Sequence, residues 1–159
     1  MMHALTVHQP WATAIALSDP RELGEVGKGV ENRDWEPWKS VVGTHIAIHA
    51  GKRPFEAADA IEVGRMIFGD DVTRPHWSGW VARLTAGYGA IVCVARVTGH
   101  VRHSSQLRPS QRRWKISESV GWVLEDVRAL QSPILIRGAQ GLWVVPHDTE
   151  TKVRSAVGL

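Results

Sequence analysis

The sequence predicts an α+β domain in which about six short strands form a small curled sheet or barrel, with two or three helices closing its ends. Three observations favour this fold class. Apolar segments of strand length recur along the chain, glycine-containing turns separate them, and two helical patterns lie in the N-terminal half. With no internal repeat and no linker-like segment, residues 1–159 are expected to form a single domain.

The N-terminal part of the chain predicts a strand, a helix and a second strand. Residues 3–8 indicate a short strand, and Pro10 favours the start of a helix because proline is tolerated in the first turn. Apolar residues then follow at helical spacing: Trp11, Ala14 and Ile15. Residues 18–29 predict a glycine-containing loop, and residues 30–35 predict the second strand.

The middle of the chain predicts a third strand, a second helix and an irregular segment. Residues 43–51 indicate a strand with Ile46 and Ile48 on one face. Pro54 is expected to open the second helix. Four apolar residues are expected near one side of this helix: Phe55, Ala58, Ile61 and Phe68. Residues 69–88 are expected to be irregular.

The C-terminal half is dominated by strands. Residues 89–101 are apolar on both faces, which predicts a central strand with Cys93 as an inert core residue. Residues 102–115 are expected to form a loop. Three further strands are expected between turn residues: 121–127, 133–137 and 141–145. Residues 148–157 predict a short terminal helix.

The composition is typical of a globular chain, with 43% hydrophobic and 22% charged residues. No apolar run approaches the roughly 18 residues that a membrane span needs, so we expect no membrane association. The N-terminal residues lack the basic start and long apolar centre of a signal peptide. A single cysteine cannot form an internal disulfide, and the reducing cytoplasm is therefore the expected location.

Positive charge is concentrated in residues 102–115, "RHSSQLRPSQRRWK", called the basic segment below. The chain has 19 Lys and Arg against 16 Asp and Glu, and five of these cations, with no acid, lie in the basic segment. A basic segment on a nearly neutral body indicates a polyanionic partner such as nucleic acid. A solvated, mobile loop without a partner explains the same charge equally well.

The eight histidines do not indicate a metal site. His45 and His49 share a strand face but lie about 13 Å apart at about 3.3 Å per residue. A zinc ion needs each nitrogen at about 2.1 Å. The sequence also lacks a G-x-S-x-G nucleophile elbow and the spacing of a phosphate-binding glycine loop. We therefore expect neither a metal nor a cofactor.

The segment "GKGVENRDW", residues 27–35, carries the densest group of reactive side chains. In a strand, Glu31, Arg33 and Trp35 lie on one face, and Lys28 arrives at the same end from the glycine loop. One interpretation is an internal salt bridge, although a buried charge cluster stabilises little by itself. The other is the polar floor of a pocket, where a lysine of lowered pKa acts as a base and a glutamate transfers a proton.

Tryptophan is frequent, with eight residues, and most are expected in the core. Trp114 lies beside Arg113 in the basic segment, which makes it the tryptophan least expected to be buried. A tryptophan next to an arginine offers a nucleobase a stacking surface and its phosphate a counter-charge.

Five segments, in order along the chain, resemble an ASCH domain (activating-signal cointegrator homology): "LTVHQPWATAI", "GKGVENRDW", "GTHIAIHAGK", "GAIVCVARVTG" and "WVLEDVRAL…PILIRGAQGLWVV". The resemblance covers about residues 3–146. Lys28, Glu31 and Arg33 match the family signature G-x-K-x-x-E-x-R in type and spacing, whereas Val26 stands at the position of its first glycine. Because ASCH domains are similar to the PUA superfamily, the resemblance implies a small PUA-like β-barrel.

The resemblance implies a cleft between the barrel and the first helix, floored by the signature. Six residues are expected to line it: Gln9, Trp11, Lys28, Glu31, Arg33 and Trp35. The usual role of the superfamily implies a partner, RNA or single-stranded DNA, whose base, or a free nucleoside, occupies the cleft. Eight residues are expected to hold phosphates or stack on bases: Lys52, Arg53, Arg102, Arg108, Arg112, Arg113, Trp114 and Lys115.

Two other functions stay open. Some ASCH domains are ribonucleases, and a small bacterial branch hydrolyses the amide of acylated cytidines, so Lys28 and Glu31 would be catalytic in an enzyme of this kind. That branch has shorter chains and a threonine at the position of Glu31, which favours binding over catalysis. In the third alternative, the cluster is an internal brace in a non-catalytic adaptor with a protein partner.

Overall fold

The computed structural model describes residues 1–70 and 75–159, which form six strands, four α-helices and three short 3-10 turns. The strands are β1 (His3–Val7), β2 (Val30–Arg33), β3 (His45–Ala50), β4 (Ala90–Val101), β5 (Val120–Leu135) and β6 (Leu142–Val144). The α-helices are α1 (Trp11–Ala16), α2 (Ala57–Phe68), α3 (Pro75–Gly87) and α4 (His147–Val157). The 3-10 turns span Gly24–Val26, Ser104–Gln106 and Pro109–Trp114.

The strands form one mixed sheet in the order β2-β5-β4-β3-β1-β6. The pair β1–β3 is parallel, and the other four pairs are antiparallel. The sheet curls into a half-barrel, which confirms the predicted α+β, barrel-like fold class. The described residues contain four α-helices rather than two or three, and α4 confirms the predicted terminal helix.

Strand β5 joins two segments that the sequence predicts as separate strands. It runs for 16 residues and pairs with β4 through three register shifts. These irregularities bend the paired strands without ending them. The turn expected between residues 127 and 133 is therefore wrong, because the long partner β4 keeps this part of β5 in the sheet.

Helix α2 buries a different face from the one predicted. Its buried residues are Ala60, Val63, Gly64 and Ile67, whereas Ala58 and Ile61 are exposed. The packing of α3 is the physical reason. A Cβ on Gly64 would lie 2.5 Å from the ring of Trp77, and Trp80 Nε1 donates a hydrogen bond to Ala60 O at 3.1 Å. The helical spacing of apolar residues alone does not show which side of a helix a neighbouring element covers.

The prediction that residues 69–88 are irregular is wrong for residues 75–87, which form α3. Residues 71–74 of that range lie outside the described residues. The central strand that follows, β4, is as predicted. Cys93 on β4 is fully buried, and burial raises the pKa of its thiol, as expected for an inert core residue. No helix in the described parts of the chain is long and apolar enough to span a membrane.

Candidate functional site

A cavity of about 930 Å³, called the main pocket, opens where β1 and β2 end. Five parts of the chain form its walls: the end of β1 with the start of α1, Lys28 with β2, His49 with residues 51–53 at the end of β3, Ile116, and residues 137–141 between β5 and β6. The pocket therefore lies between the sheet and α1, where the resemblance implies a cleft.

The floor of the main pocket contains Lys28, Glu31 and Arg33, called the signature cluster. Lys28 is 2% exposed and Glu31 6%, and Lys28 Nζ donates a hydrogen bond to the carboxylate of Glu31. Arg33 Nη2 lies 3.3 Å from the other oxygen of that carboxylate. Glu31 and Arg33 thus share a strand face, as predicted, and one carboxylate serves two cations.

The signature cluster is electrostatically unbalanced, with two positive groups around one negative group. Burial lowers the pKa of Lys28, and the nearby charge of Arg33 acts in the same direction, although the attraction of Glu31 opposes both. The buried Nε of Arg33 has no hydrogen-bond partner among the described residues. The cluster is therefore able to receive an anionic or carbonyl oxygen.

Two backbone contacts fix the approach of Lys28 to the pocket. Lys28 N donates to Ala14 O at 2.9 Å, which ties the lysine to α1. A Cβ on Gly27 would lie 2.3 Å from the backbone N of Ser18, so this close approach needs glycine. The glycine that the turn requires is thus Gly27, one residue after the position of Val26.

The side chain of Gln111 holds the same turn from the other side. Its Oε1 accepts a hydrogen bond from Gly29 N at 2.7 Å, and its Nε2 donates to Glu25 O at 3.0 Å and Gly27 O at 3.3 Å. Gln111 is 4% exposed. The basic segment therefore supports Lys28 through a buried neutral side chain.

Thr6 connects the floor of the main pocket with the wall formed by residues 137–141. Its carbonyl accepts a hydrogen bond from Arg33 Nη2 at 2.7 Å. Its hydroxyl donates to Ala139 O at 2.6 Å and accepts from Trp143 Nε1 at 3.0 Å. A hydroxyl on β1 thereby holds the loop against the sheet.

His49 supports the same wall from below. Its Nδ1 lies 3.3 Å from the Thr6 hydroxyl, and its Nε2 donates to Ile136 O at 3.0 Å. A Cβ on Gly138 would lie 2.3 Å from the imidazole ring, so the glycine backbone packs directly on it. Burial lowers the pKa of His49, which favours the neutral ring.

The lining of the main pocket is strongly cationic. Its five Lys and Arg residues are Lys28, Arg33, Lys52, Arg53 and Arg137, and Glu31 is the one carboxylate among its lining residues. Within the described chain, the three outer cations, Lys52, Arg53 and Arg137, form no ion pair. The rim of the pocket therefore holds positive charge that is available to an anion.

The structure separates the residues expected to line the cleft. Trp11 lines the main pocket with the signature cluster, but Gln9 and Trp35 do not. Gln9 is buried, and its side chain bonds to Thr13 on α1 and to Leu84 O on α3. Trp35 follows the end of β2 and packs edge-on against Trp122 with ring centroids 4.7 Å apart. The strand prediction for residues 30–35 runs two residues too far.

The cations of the basic segment are engaged within the protein, in contrast to those of the pocket rim. Arg102 pairs with Glu36 at 2.6 Å, and Arg108 pairs with Glu25 at 3.2 Å. The other three bond to backbone carbonyls: Arg112 to Leu107, Arg113 to Met66 and Val26, and Lys115 to Ile116 and Ser119. The basic segment thus consists largely of two 3-10 turns, Ser104–Gln106 and Pro109–Trp114, rather than of an irregular loop.

The expectation that Trp114 is exposed is wrong. Trp114 is 4% exposed and belongs to a core cluster with Ala14, Leu17 and Val30. The basic residues around it face outwards, while its ring closes the core beneath residues 27–29, called the Lys28 turn. A buried ring is not a stacking platform, so Trp114 drops out of the candidate site.

Sequence reasoning missed Arg137, His49 and Gln111 as parts of the site. Two glycines follow Arg137 in "RGAQG" and signal a loop, and a basic residue in a loop beside a strand end was the available clue. Gln111 and His49 act through contacts between residues that are distant in sequence, which carry no local signal. Among the described residues, no group of three or more His, Cys, Asp or Glu is placed to hold a metal ion.

Comparison with solved structures identifies the fold. Crystal structures of two mutant forms of ZmASCH from Zymomonas mobilis match 97% of this chain and 96% and 94% of theirs, with TM-scores of 0.50 and 0.51 and 15% sequence identity. No protein-family model and no curated protein matches the sequence. The chain therefore has an ASCH-domain fold, as the sequence resemblance predicts, and a likeness at this identity concerns the fold alone.

Proposed function

We propose that this chain is a nucleic-acid-binding domain that takes a base or a modified base of RNA or single-stranded DNA into the main pocket. One observation carries the proposal: a cavity of about 930 Å³ whose lining has five Lys and Arg and a single carboxylate. A cationic cavity of this size, with a tryptophan on its wall, suits a ligand that joins a flat ring to phosphates.

The residues of the pocket divide into two roles in this proposal. The signature cluster meets the base: Glu31 accepts hydrogen bonds from an exocyclic amine, and Arg33 Nε donates to a carbonyl oxygen. Trp11 offers a stacking face. The rim cations Lys52, Arg53 and Arg137 meet the phosphates, because they have no carboxylate partner within the described chain. The basic segment takes a structural role instead.

Binding of a fluorescein-labelled single-stranded RNA, followed by fluorescence anisotropy, tests this proposal. Affinity should fall between about 50 and 200 mM salt, because each neutralised phosphate releases counterions. For a single strand, each such phosphate steepens the plot of log affinity against log salt concentration by about 0.7. Arg137→Ala should weaken binding and reduce the slope by about 0.7. Lys152→Ala, which removes an exposed lysine on α4 away from the pocket, is the matched control. Salt-independent binding, or unchanged binding by Arg137→Ala, would reject the proposal.

A second function, hydrolysis, is favoured by one specific observation. Lys28 is buried in contact with Glu31, and burial lowers the pKa of its amine, which is the condition for a lysine to act as a base near neutral pH. In an amidohydrolase of acylated cytidine, neutral Lys28 would take a proton from the attacking water. Glu31, bonded to Lys28, would relay that proton to the amine nitrogen as the C–N bond of the amide breaks, which releases the carboxylic acid and cytidine. A ribonuclease would use the same pair.

The hydrolase reading predicts that Lys28→Met abolishes turnover while circular dichroism shows an intact fold. Loss of a general base lowers the rate by about 10²- to 10⁴-fold. Release of cytidine from N4-acetylcytidine and cleavage of a single-stranded RNA are the two assays. The wild-type rate should rise with pH as the amine of Lys28 loses its proton. If the wild-type protein converts neither substrate, the hydrolase reading is rejected and the binding proposal is unaffected.

A further inference from the structure

A second cavity of about 260 Å³ lies against the main pocket. The two share three lining residues, His8, Trp11 and Arg53. A ligand that leaves the main pocket past Trp11 therefore enters the second cavity directly. Its volume suits a flat ring of nucleobase size, whereas the main pocket is more than three times larger.

The second cavity has two aromatic side chains in its lining, Trp11 and Phe55. Phe55 stacks on Tyr88 with ring centroids 5.9 Å apart and an interplanar angle of 16°. Its backbone N–H donates to the Tyr88 hydroxyl at 2.9 Å. The ring of Phe55 is thereby held in place before any ligand arrives, which reduces the entropy that stacking would otherwise cost.

The charge of the second cavity is opposite to that of the main pocket. Two of its lining residues are the carboxylates Glu56 and Asp59, and within the described chain neither forms an ion pair. Carboxylates accept hydrogen bonds from amines and repel phosphates. The cavity therefore excludes a phosphate and suits a base with an exocyclic amine.

Arg53 is the one Lys or Arg among the residues that line the second cavity, and it lies on the wall shared with the main pocket. A phosphate between two successive nucleotides would pass along this boundary. The guanidinium of Arg53 matches the geometry of such a phosphate. The ligand would then place one base in the main pocket, the phosphate beside Arg53 and the next base in the second cavity.

We infer that the second cavity is a second base subsite, which binds an amine-bearing base, cytosine or adenine, next in the strand to the base in the main pocket. Arg53 holds the phosphate that joins them. This inference rests on the proposed nucleic-acid binding and adds that the smallest full ligand is a dinucleotide rather than a nucleoside or mononucleotide.

Calorimetric titration with four probes tests the inference: the dinucleotides CpC and UpU and the mononucleotides CMP and UMP. CpC should bind about 5- to 100-fold tighter than CMP, the range expected from stacking one further base on an aromatic side chain. The ratio of the UpU and CpC dissociation constants should exceed the ratio for UMP and CMP, because uracil presents a carbonyl where cytosine presents an amine.

Two variants locate the effect in the second cavity. Phe55→Ala should reduce the gain of CpC over CMP to less than about twofold. The double variant Glu56→Gln with Asp59→Asn should narrow the difference between CpC and UpU, because an amide also donates to uracil. Glu62→Gln, on the exposed face of α2 and outside both cavities, is the matched control and should behave as wild type.

The outcomes separate this inference from the proposed function. Equal binding of CpC and CMP by the wild-type protein would overturn the second subsite and leave nucleic-acid binding in place. A gain of CpC over CMP that persists in Phe55→Ala, or a difference between CpC and UpU that the double variant leaves unchanged, would also overturn it. Failure of all four probes and of the labelled RNA to bind would overturn the proposed function and the second subsite together.

Discussion

At the scale of single residues, the signature cluster sets the charge on the floor of the main pocket. Glu31 is almost buried and sits between two cations, Lys28 and Arg33. A buried ion pair contributes little net stability, but removal of one partner leaves an uncompensated charge. The loss of one partner therefore has different consequences for the two residues. Glu31 keeps its ion pair with Arg33 when Lys28 is removed. Among the described ion pairs, Lys28 has no carboxylate other than Glu31.

This asymmetry predicts unequal costs for two substitutions. Glu31→Gln should lower the free energy of unfolding by about 3–5 kcal/mol, because the ammonium of Lys28 stays buried without a counter-charge. Lys28→Met should cost less than half of that, since an apolar chain of similar length replaces the ammonium and Glu31 keeps Arg33. Urea unfolding at pH 7 measures both. Equal losses would show that the pair acts as a symmetric internal brace.

The same pair predicts a dependence of stability on pH. The pKa of Lys28 is lowered from its ordinary 10.5, so the folded protein releases this proton at a lower pH than the unfolded chain. The unfolded chain then binds more protons, and stability rises with pH until both states are deprotonated. Urea unfolding of the wild-type protein should show this rise as pH increases towards about 10.5, the ordinary lysine value. The rise should be smaller in Lys28→Met, in which Lys115, whose pKa burial also lowers, still contributes.

At the scale of elements, the 3-10 turn Pro109–Trp114 is the support of the Lys28 turn. Trp114 fills the core under it, and Gln111 bonds to the backbone on both sides of Lys28. The arginines of the same element face outwards and bond to nearby carbonyls. A segment whose charge suggests a binding surface thus also holds the floor of the pocket in place.

Two neighbouring substitutions in this element should have opposite consequences. Gln111→Ala leaves the buried Gly29 N–H without its acceptor, which should cost about 1–3 kcal/mol of unfolding free energy and weaken RNA binding through the displaced Lys28. Ser110→Ala removes a buried hydroxyl that has no partner among the described residues, so it should be neutral or slightly stabilising. Thermal unfolding and anisotropy measure the two effects. Unchanged RNA binding by Gln111→Ala would contradict the supporting role.

At the scale of the whole molecule, the curl of the sheet creates the main pocket. The edge strands β2 and β6 belong to one sheet, and the floor of the pocket on β2 is bonded to β1, the neighbour of β6, through Arg33 and Thr6. The loop between β5 and β6 closes the remaining side. Residues from five distant parts of the chain thereby meet, and three cations with no ion pair among the described residues, Lys52, Arg53 and Arg137, lie at the pocket rim.

Local patterns were sufficient to predict much of this protein. Alternation and apolar runs predict β1, β3 and β4, proline positions indicate where α1 and α2 begin to within three residues, and the period of two places Glu31 and Arg33 on one face. Each of these depends on contacts between near neighbours in the chain. The ordered match of five segments predicts the ASCH-domain fold, which the structure confirms.

The tertiary structure decided which of the charged and aromatic residues are available to a ligand. Trp114 is buried because the core needs a ring beneath residues 27–29. Three arginines of the basic segment bond to partners that are distant in sequence: Arg102 to Glu36, Arg108 to Glu25, and Arg113 to the carbonyls of Met66 and Val26. Arg137 reaches the pocket because Thr6 and His49 hold its loop against β1 and β3. The number and type of charges follow from the sequence, but their pairing depends on three-dimensional neighbours that no local pattern encodes.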